Sequence, residues 1–287
     1  MDGVCNVNKI DMSGEIPKNI IQVYFPDKND LPKEINENIE KLKKMNPNWS
    51  YFLYDDYDIE EYIEKSYGSY MLNVYKKINP IYGAARVDFF RYLVMYHKGG
   101  IYLDIKSTID KPLDEVILQD DYFLLSKWDS PSKGFNPELK NIGCQEYIQW
   151  CIISRKGHPY MRNVIRNMIC NIENYSILKF GVGKRSILRV TGPIMYTKAI
   201  KEIESDHQNR KVNFERDLGI KYSIYANGNH HKNLFKNHYA NLDYPLVDSH
   251  INQFILKVIS IYQKRMHRLR KSIIKRFPGE CKKYLKK

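Results

Sequence analysis

Asp88 and Arg91 stand three residues apart in a stretch, Ala84 to His97, whose other prominent positions (Ala84, Val87, Phe89, Phe90, Leu93, Val94, Tyr96) are apolar. If that stretch is helical, residues three apart share a face, and two charges in apolar surroundings must pair or meet a polar ligand. Two outcomes fit. One is an intrahelical salt bridge on a single wet side of the helix. The other is a pair facing a cleft, with the Arg91 fork on phosphate or sugar oxygens and Asp88 accepting sugar hydroxyls. Asp104 is the third candidate: it follows the apolar Ile101-Tyr102-Leu103. A carboxylate at a strand's carboxyl end is where open α/β sheets bind ligands, although an Asp there also caps turns.

The elements that must position these residues follow from periodicity. Ile16 to Phe25 is a leading Pro and an apolar, β-branched run, read as a buried first strand. Ile35, Ile39 and Leu42 recur at helical spacing between Pro32 and Met45, Asn46-Pro47-Asn48 breaks that helix, and Trp49 to Tyr54 is a second strand. Strand, helix, strand is a βαβ unit. Asp58 to Tyr75 continues as helix. The Ala84 to His97 helix is apolar nearly all round, which requires burial on most sides. Gly99-Gly100 ends it before a short strand, Ile101 to Ile105, and Tyr122 to Ser126 forms another. Cys144 to Ser154 reads equally as strand or helix. His158-Pro159 opens a helix to Ile172, and Thr191-Gly192-Pro193 turns into one from Ile194 to Ile203. The expected class is α/β, a mostly parallel sheet flanked by helices over residues 1–250, with a basic amphipathic helical tail over 251–287.

Taken together, Ala-x-x-Asp-x-x-Arg-Tyr (Ala85 to Tyr92), Gly-Gly-Ile-Tyr-Leu-Asp (Gly99 to Asp104) and Lys-Pro-Leu-Asp (Lys111 to Asp114) resemble the DXD-containing sugar-binding region of glycosyltransferase family 32. The opening Ile-Pro-Lys-x-Ile-x-Gln-Val-Tyr-Phe is similar to that family's first strand, Asn46-Pro47 through Tyr54 to its second, and Thr191-Gly192-Pro193 to its later turn. The likeness spans residues 16–114 well and 141–200 loosely. It implies a GT-A fold and retaining transfer of a sugar from a nucleoside diphosphate sugar to a glycan or other hydroxyl acceptor. It also implies that Asp88 and Arg91 contact the donor sugar, that Tyr102 and Asp104 frame the ribose and diphosphate, and that Tyr24 lies near the base.

Departures from the family pattern bear on the cofactor. Its first-strand His is Ile21 here, and the residue before the helix Asp is Val87. The Asp-x-Asp pair reads Asp104-Ile105-Lys106, so one metal-binding carboxylate is replaced by a cation. A divalent ion, Mn²⁺ or Mg²⁺, would then rest on Asp104, with His231 as a further candidate ligand, and reduced metal dependence is expected. On a strand, residues 104 and 106 would face one side, and Lys106 would stand in for part of the metal's work. An alternative of another class is a catalytically impaired scaffold that binds a glycan or a partner.

Composition narrows the partners. The net charge is +13, but residues 257–287 hold twelve Lys or Arg against the single acidic Glu280, so the body is nearly neutral. Only the tail could meet nucleic-acid phosphate, and nucleic acid is not the expected partner. Ile255, Ile259, Tyr262, Met266, Leu269 and Ile273 alternate by four and three; the second half of this stripe suits an anionic membrane surface. Five cysteines without a Cys-x-x-Cys pair suggest a reducing compartment. With no basic-then-apolar leader and no long apolar run, the expectation is a cytoplasmic protein, peripheral at a membrane, of bacterial or viral origin.

Overall fold

The computed structural model describes residues 7–25, 27–129, 136–225, 244–247, 254–255, 257–258 and 261–262. Its strands are β1 (Asn19–Val23), β2 (Ser50–Tyr54), β3 (Gly100–Leu103), β4 (Thr108–Ile109), β5 (Phe123–Leu125), β6 (Cys151–Ser154), β7 (Arg210–Lys211) and β8 (Ile220–Lys221). Helices α1 (Lys33–Met45), α2 (Asp56–Tyr67), α3 (Ser69–Lys76) and α4 (Gly83–Lys98) precede β3 or lead into it. Helices α5 (Leu113–Val116), α6 (Pro137–Lys140), α7 (Pro159–Glu173), α8 (Ile177–Phe180), α9 (Gly183–Val190), α10 (Pro193–Glu202) and α11 (Phe214–Leu218) follow.

Six strands form one sheet in the order β2-β1-β3-β6-β5-β7. β1 pairs in parallel with β2 and β3, β5 pairs in parallel with β7, and β6 runs antiparallel to both β3 and β5. Only β6 is reversed, so the sheet is mostly parallel, as the GT-A expectation required. β4 and β8 make a separate antiparallel pair.

Strand alternation divides the core. Ile21, Val23, Tyr102 and Ile152 pack with residues of α4, α7 and α10, whereas Ile20, Ile101, Leu103 and Ile153 pack with Leu42 of α1 and with Phe214 and Leu218 of α11. β3 and β6 are buried along their whole length, which is why they read as unbroken apolar runs. The stretch left open between strand and helix resolves as β6 over its last four residues.

Several boundaries differ from the sequence expectation for identifiable reasons. The helix expected over Asp58 to Tyr75 is two, α2 and α3, because Gly68 adopts φ +79° between them. The strand expected to reach Ile105 stops at Leu103, and a turn closed by the Ser107 amide donating to the Asp104 carbonyl (2.8 Å) takes over. Asp104 and Lys106 therefore do not share a strand face. Cys170 is disulfide-bonded, which five cysteines without a Cys-x-x-Cys pair did not signal and which runs against the expected reducing compartment. Among the described residues no helix is long and apolar enough to cross a membrane. The expected tail helix falls largely outside the described residues.

Candidate active site

Helix α4 leaves Asp88 and Arg91 no exposed face on which to pair. Eleven of its residues are buried, and Asp88 and Arg91 are among them, at 4% and 6% exposure. The intrahelical pair exists, with Arg91 Nη2 3.3 Å from Asp88 Oδ1, but it lies inside the protein and not on a wet face. Arg91 also reaches the end of β3, 3.1 Å from Asp104 Oδ1, and lies 4.7 Å over the Tyr102 ring. Tyr102 can meet it because that position of β3 faces α4, while its neighbours Ile101 and Leu103 face the opposite layer. The Tyr102 hydroxyl donates to Asp104 Oδ1 at 3.3 Å. The four residues Asp88, Arg91, Tyr102 and Asp104, separate in sequence, thus form one cluster where β1 and β3 end.

Two residues that sequence reasoning passed over complete it. Thr191 Oγ1 donates to Asp88 Oδ2 at 3.1 Å, and its carbonyl accepts from the Tyr92 hydroxyl at 2.8 Å. The turn before α10 was legible; its inward-pointing hydroxyl was not. Gln149, just ahead of β6, donates from Nε2 to Asp88 Oδ1 (3.4 Å), accepts from Tyr92, and offers its carbonyl to Arg91 Nη1 at 3.0 Å. A polar residue at the mouth of an apolar strand was the available signal. Behind the cluster, wholly buried Gln22 donates to the Asp104 carbonyl (3.2 Å) and accepts from the Tyr51 hydroxyl (2.7 Å).

The electrostatics follow from this enclosure. Burial raises the Asp88 carboxyl from 3.8 to about 6; Arg91 opposes that shift and the Asp104 charge adds to it. Burial works against the Arg91 charge, but Tyr102, Asp104 and Asp88 outweigh it and hold the guanidinium firmly protonated. Arg91 Nε is buried without a hydrogen-bond partner among the described residues. An orphaned donor on a fixed cation is a site for an incoming oxygen.

The remaining sequence candidates disperse. Tyr24 is half-buried beyond the end of β1, beside Leu31, Ile35, Ile105 and Tyr225, a mainly apolar recess that can flank a flat base. Lys106 does not point at the cluster: its Nζ donates to the Tyr222 hydroxyl (2.7 Å) and sits 4.0 Å over that ring. His231 lies outside the described residues. Asp114 serves packing, accepting from Trp49 Nε1 (2.8 Å) and pairing with Lys18 (2.9 Å) near the opposite ends of β1 and β2. Among the described residues no three His, Cys, Asp or Glu side chains converge on a common point. Asp104 and its neighbour Asp88 are both already engaged by Arg91, so these two carboxylates alone are a donor set that does not fit a cation.

Residues 32–123 match the family model described as "Glycosyltransferase sugar-binding region containing DXD motif", which bears out the family resemblance read from the sequence. The chain is 29% identical over 210 residues to an initiation-specific alpha-1,6-mannosyltransferase of Candida albicans, covering 67% of this chain and 54% of that protein. It is 25% identical over 197 residues to an uncharacterized glycosyltransferase of Acanthamoeba polyphaga mimivirus, covering 69% of each. A solved structure titled PaToxG Glycosyltransferase aligns with TM-score 0.48 and 17% identity over 67% of this chain and 71% of that one. The chain spans about half the length of the Candida relative. The matched region contains Asp88, Arg91, Tyr102 and Asp104, and together with the Candida and mimivirus relatives it supports glycosyltransferase chemistry.

Proposed function

We propose that the chain is a retaining hexosyltransferase that takes its sugar from a nucleoside diphosphate sugar, with Asp88, Arg91, Tyr102 and Asp104 as the donor site. The observation that carries this is Arg91. Its guanidinium is buried, fixed by two carboxylates and the Gln149 carbonyl, and still has one donor unspent at the carboxyl end of β3. A buried ion pair is weak evidence of a purely stabilising role, and a fixed cation with a donor to spare suits a ligand that brings oxygens.

In this reading Arg91 lies against the donor's sugar and diphosphate oxygens, and Asp88, held ionised by Arg91 and Thr191, accepts sugar hydroxyls. Asp104 and Tyr102 frame the ribose, and Tyr24 borders the base. As the bond from the sugar's C1 to the diphosphate oxygen breaks, the acceptor hydroxyl oxygen forms its bond to C1 on the same face. Its proton passes to the departing diphosphate. A preorganised cation at that oxygen stabilises the charge that develops there. Among the described residues the donor set does not fit a resident metal. Mannose is the first sugar to test, because the Candida relative is named a mannosyltransferase.

The experiment is a panel of nucleoside diphosphate hexoses, read by thermal shift and by release of nucleoside diphosphate. A donor at a hundredfold its dissociation constant should add ~2.7 kcal/mol to stability. Stabilisation without any turnover would favour the second reading, a binding scaffold. The replacement of the second motif carboxylate by Lys106 is the observation behind that alternative. No response to any donor would remove the site assignment.

A further inference from the structure

A group of aromatic residues on the other side of Asp104 has no part in the donor site. Trp128 follows β5 and Tyr222 follows β8; their rings meet edge to face at 5.6 Å. Trp150, at the entry to β6, packs against both, 6.4 Å from Trp128 and 5.2 Å from Tyr222. Tyr222 is 37% exposed and Trp128 is half-buried, so this is not closed core. Trp150 is 7% exposed, and its indole N–H has no hydrogen-bond partner among the described residues.

Polar groups edge these rings. Trp128 Nε1 donates to Glu146 Oε1 at 3.0 Å. Burial raises the Glu146 carboxyl above its ordinary range, against the hydrogen bond from Trp128 and the Lys184 charge. Lys106 is tied to the Tyr222 hydroxyl and ring.

Backbone bonds fix the arrangement. Lys127 bridges Tyr147, which sets Trp128 near Glu146, and the Ile224 amide donates to the Lys106 carbonyl at 2.8 Å. The Ser107 hydroxyl donates to the Tyr222 carbonyl at 3.1 Å. The Asp104 amide donates to the Trp150 carbonyl at 2.8 Å, so the aromatic group directly adjoins the donor cluster.

We propose that Trp128, Glu146 and Tyr222 form the acceptor subsite and bind a pyranoside whose hydroxyl attacks the donor sugar. A pyranose has apolar C–H faces and a polar hydroxyl rim. Rings for the faces, with a carboxylate and an ammonium for the rim, are its chemical complement. The placement fits transfer: Arg91 and Tyr102 belong to the α4 layer and Trp128 and Trp150 to the opposite one, so donor and acceptor meet across Asp104. Assigning the bound pyranoside as acceptor rests on the donor reading above; its binding does not.

The test is therefore saturation-transfer NMR with methyl α-mannopyranoside and methyl β-glucopyranoside, without donor. Wild type should transfer saturation to the ring C–H protons of at least one. Trp128→Ala and Tyr222→Ala should lower that signal at least fivefold, and Glu146→Gln should weaken it. Trp128→Phe, which keeps a smaller ring, covers the case in which the alanine variant fails to fold. Tyr57→Ala, an exposed aromatic on α2 outside both sites, is the control. No transfer to wild type, or equal transfer to every variant, overturns the proposal. A thermal-shift series with nucleoside diphosphate hexoses, run in parallel, reports the donor reading separately.

Discussion

At the residue scale the cluster is held by charges that need one another. Removing Arg91 leaves Asp88 buried beside Asp104, so Arg91→Ala should lower stability by about 3–5 kcal/mol as well as abolish transfer. Asp104→Asn, at a side chain 23% exposed and better hydrated than Arg91, should unfold far less readily while still losing most turnover; urea titration beside activity separates the two. Asp88 sets a pH dependence. Its folded carboxyl is raised to about 6 from 3.8, so the stability it contributes is complete below 3.8 and is lost as pH rises through 6, on the order of 3 kcal/mol. The stability difference between wild type and Asp88→Asn should change by that amount over this window. Transfer, which needs the ionised form, should rise through about pH 6 in the wild type. Lys106 is the third case. Its ammonium is engaged by Tyr222 and not by the donor cluster, so Lys106→Ala should change the thermal stabilisation by donor far less than Asp104→Asn does, with or without chelator; a loss equal to that of Asp104→Asn would restore the cation role expected from the sequence. The Tyr222 contact makes Tyr222→Phe a useful companion, since it keeps the ring and releases the ammonium's hydroxyl partner.

At the level of elements, much was legible because burial imposes period. β1, β3 and β6 are apolar runs because both faces are covered, and α4 is apolar all round because sheet and helices enclose it. Asp88 and Arg91 stood out against that background. What periodicity could not show was where a strand stops: the turn at 104–107 depends on Gln22, Trp150 and Ile224, which bond Asp104 and Lys106 from three separate segments. The roles of Thr191 and Gln149 escaped for the same reason, since the turn and the polar residue could be read but what faces them could not. Gly99-Gly100 was read as a helix stop, and it is more than that. Gly100 adopts φ +105°, and a Cβ there would lie 2.4 Å from the Asn19 carbonyl oxygen. Any side chain would push β3 away from β1. Gly100→Ala should therefore lower the melting temperature by at least ~4–8 °C, corresponding to ~2 kcal/mol, and reduce transfer by displacing Tyr102 and Asp104.

At the level of the whole molecule, the reversed strand β6 brings the segment Glu146 to Trp150 to the same sheet edge as the ends of β1 and β3. Both substrates' contacts can then sit at one mouth. The two walls of that mouth do not form alike. β3 is locked into the sheet on both sides, whereas Ile220 to Tyr225 is held to residues 106–109 by a two-residue ladder at Ile220 and Lys221 and a few bonds beyond it, across a separation of 116 residues from Lys106 to Tyr222. Closing so long a loop gains little local reward, so this lip should assemble last and open first, well below the global unfolding free energy. Amide exchange at Ile224 should accordingly outpace that at Ile101 to Leu103 by orders of magnitude. Bound donor should slow the lip selectively, making substrate the final fold-completing piece of this wall.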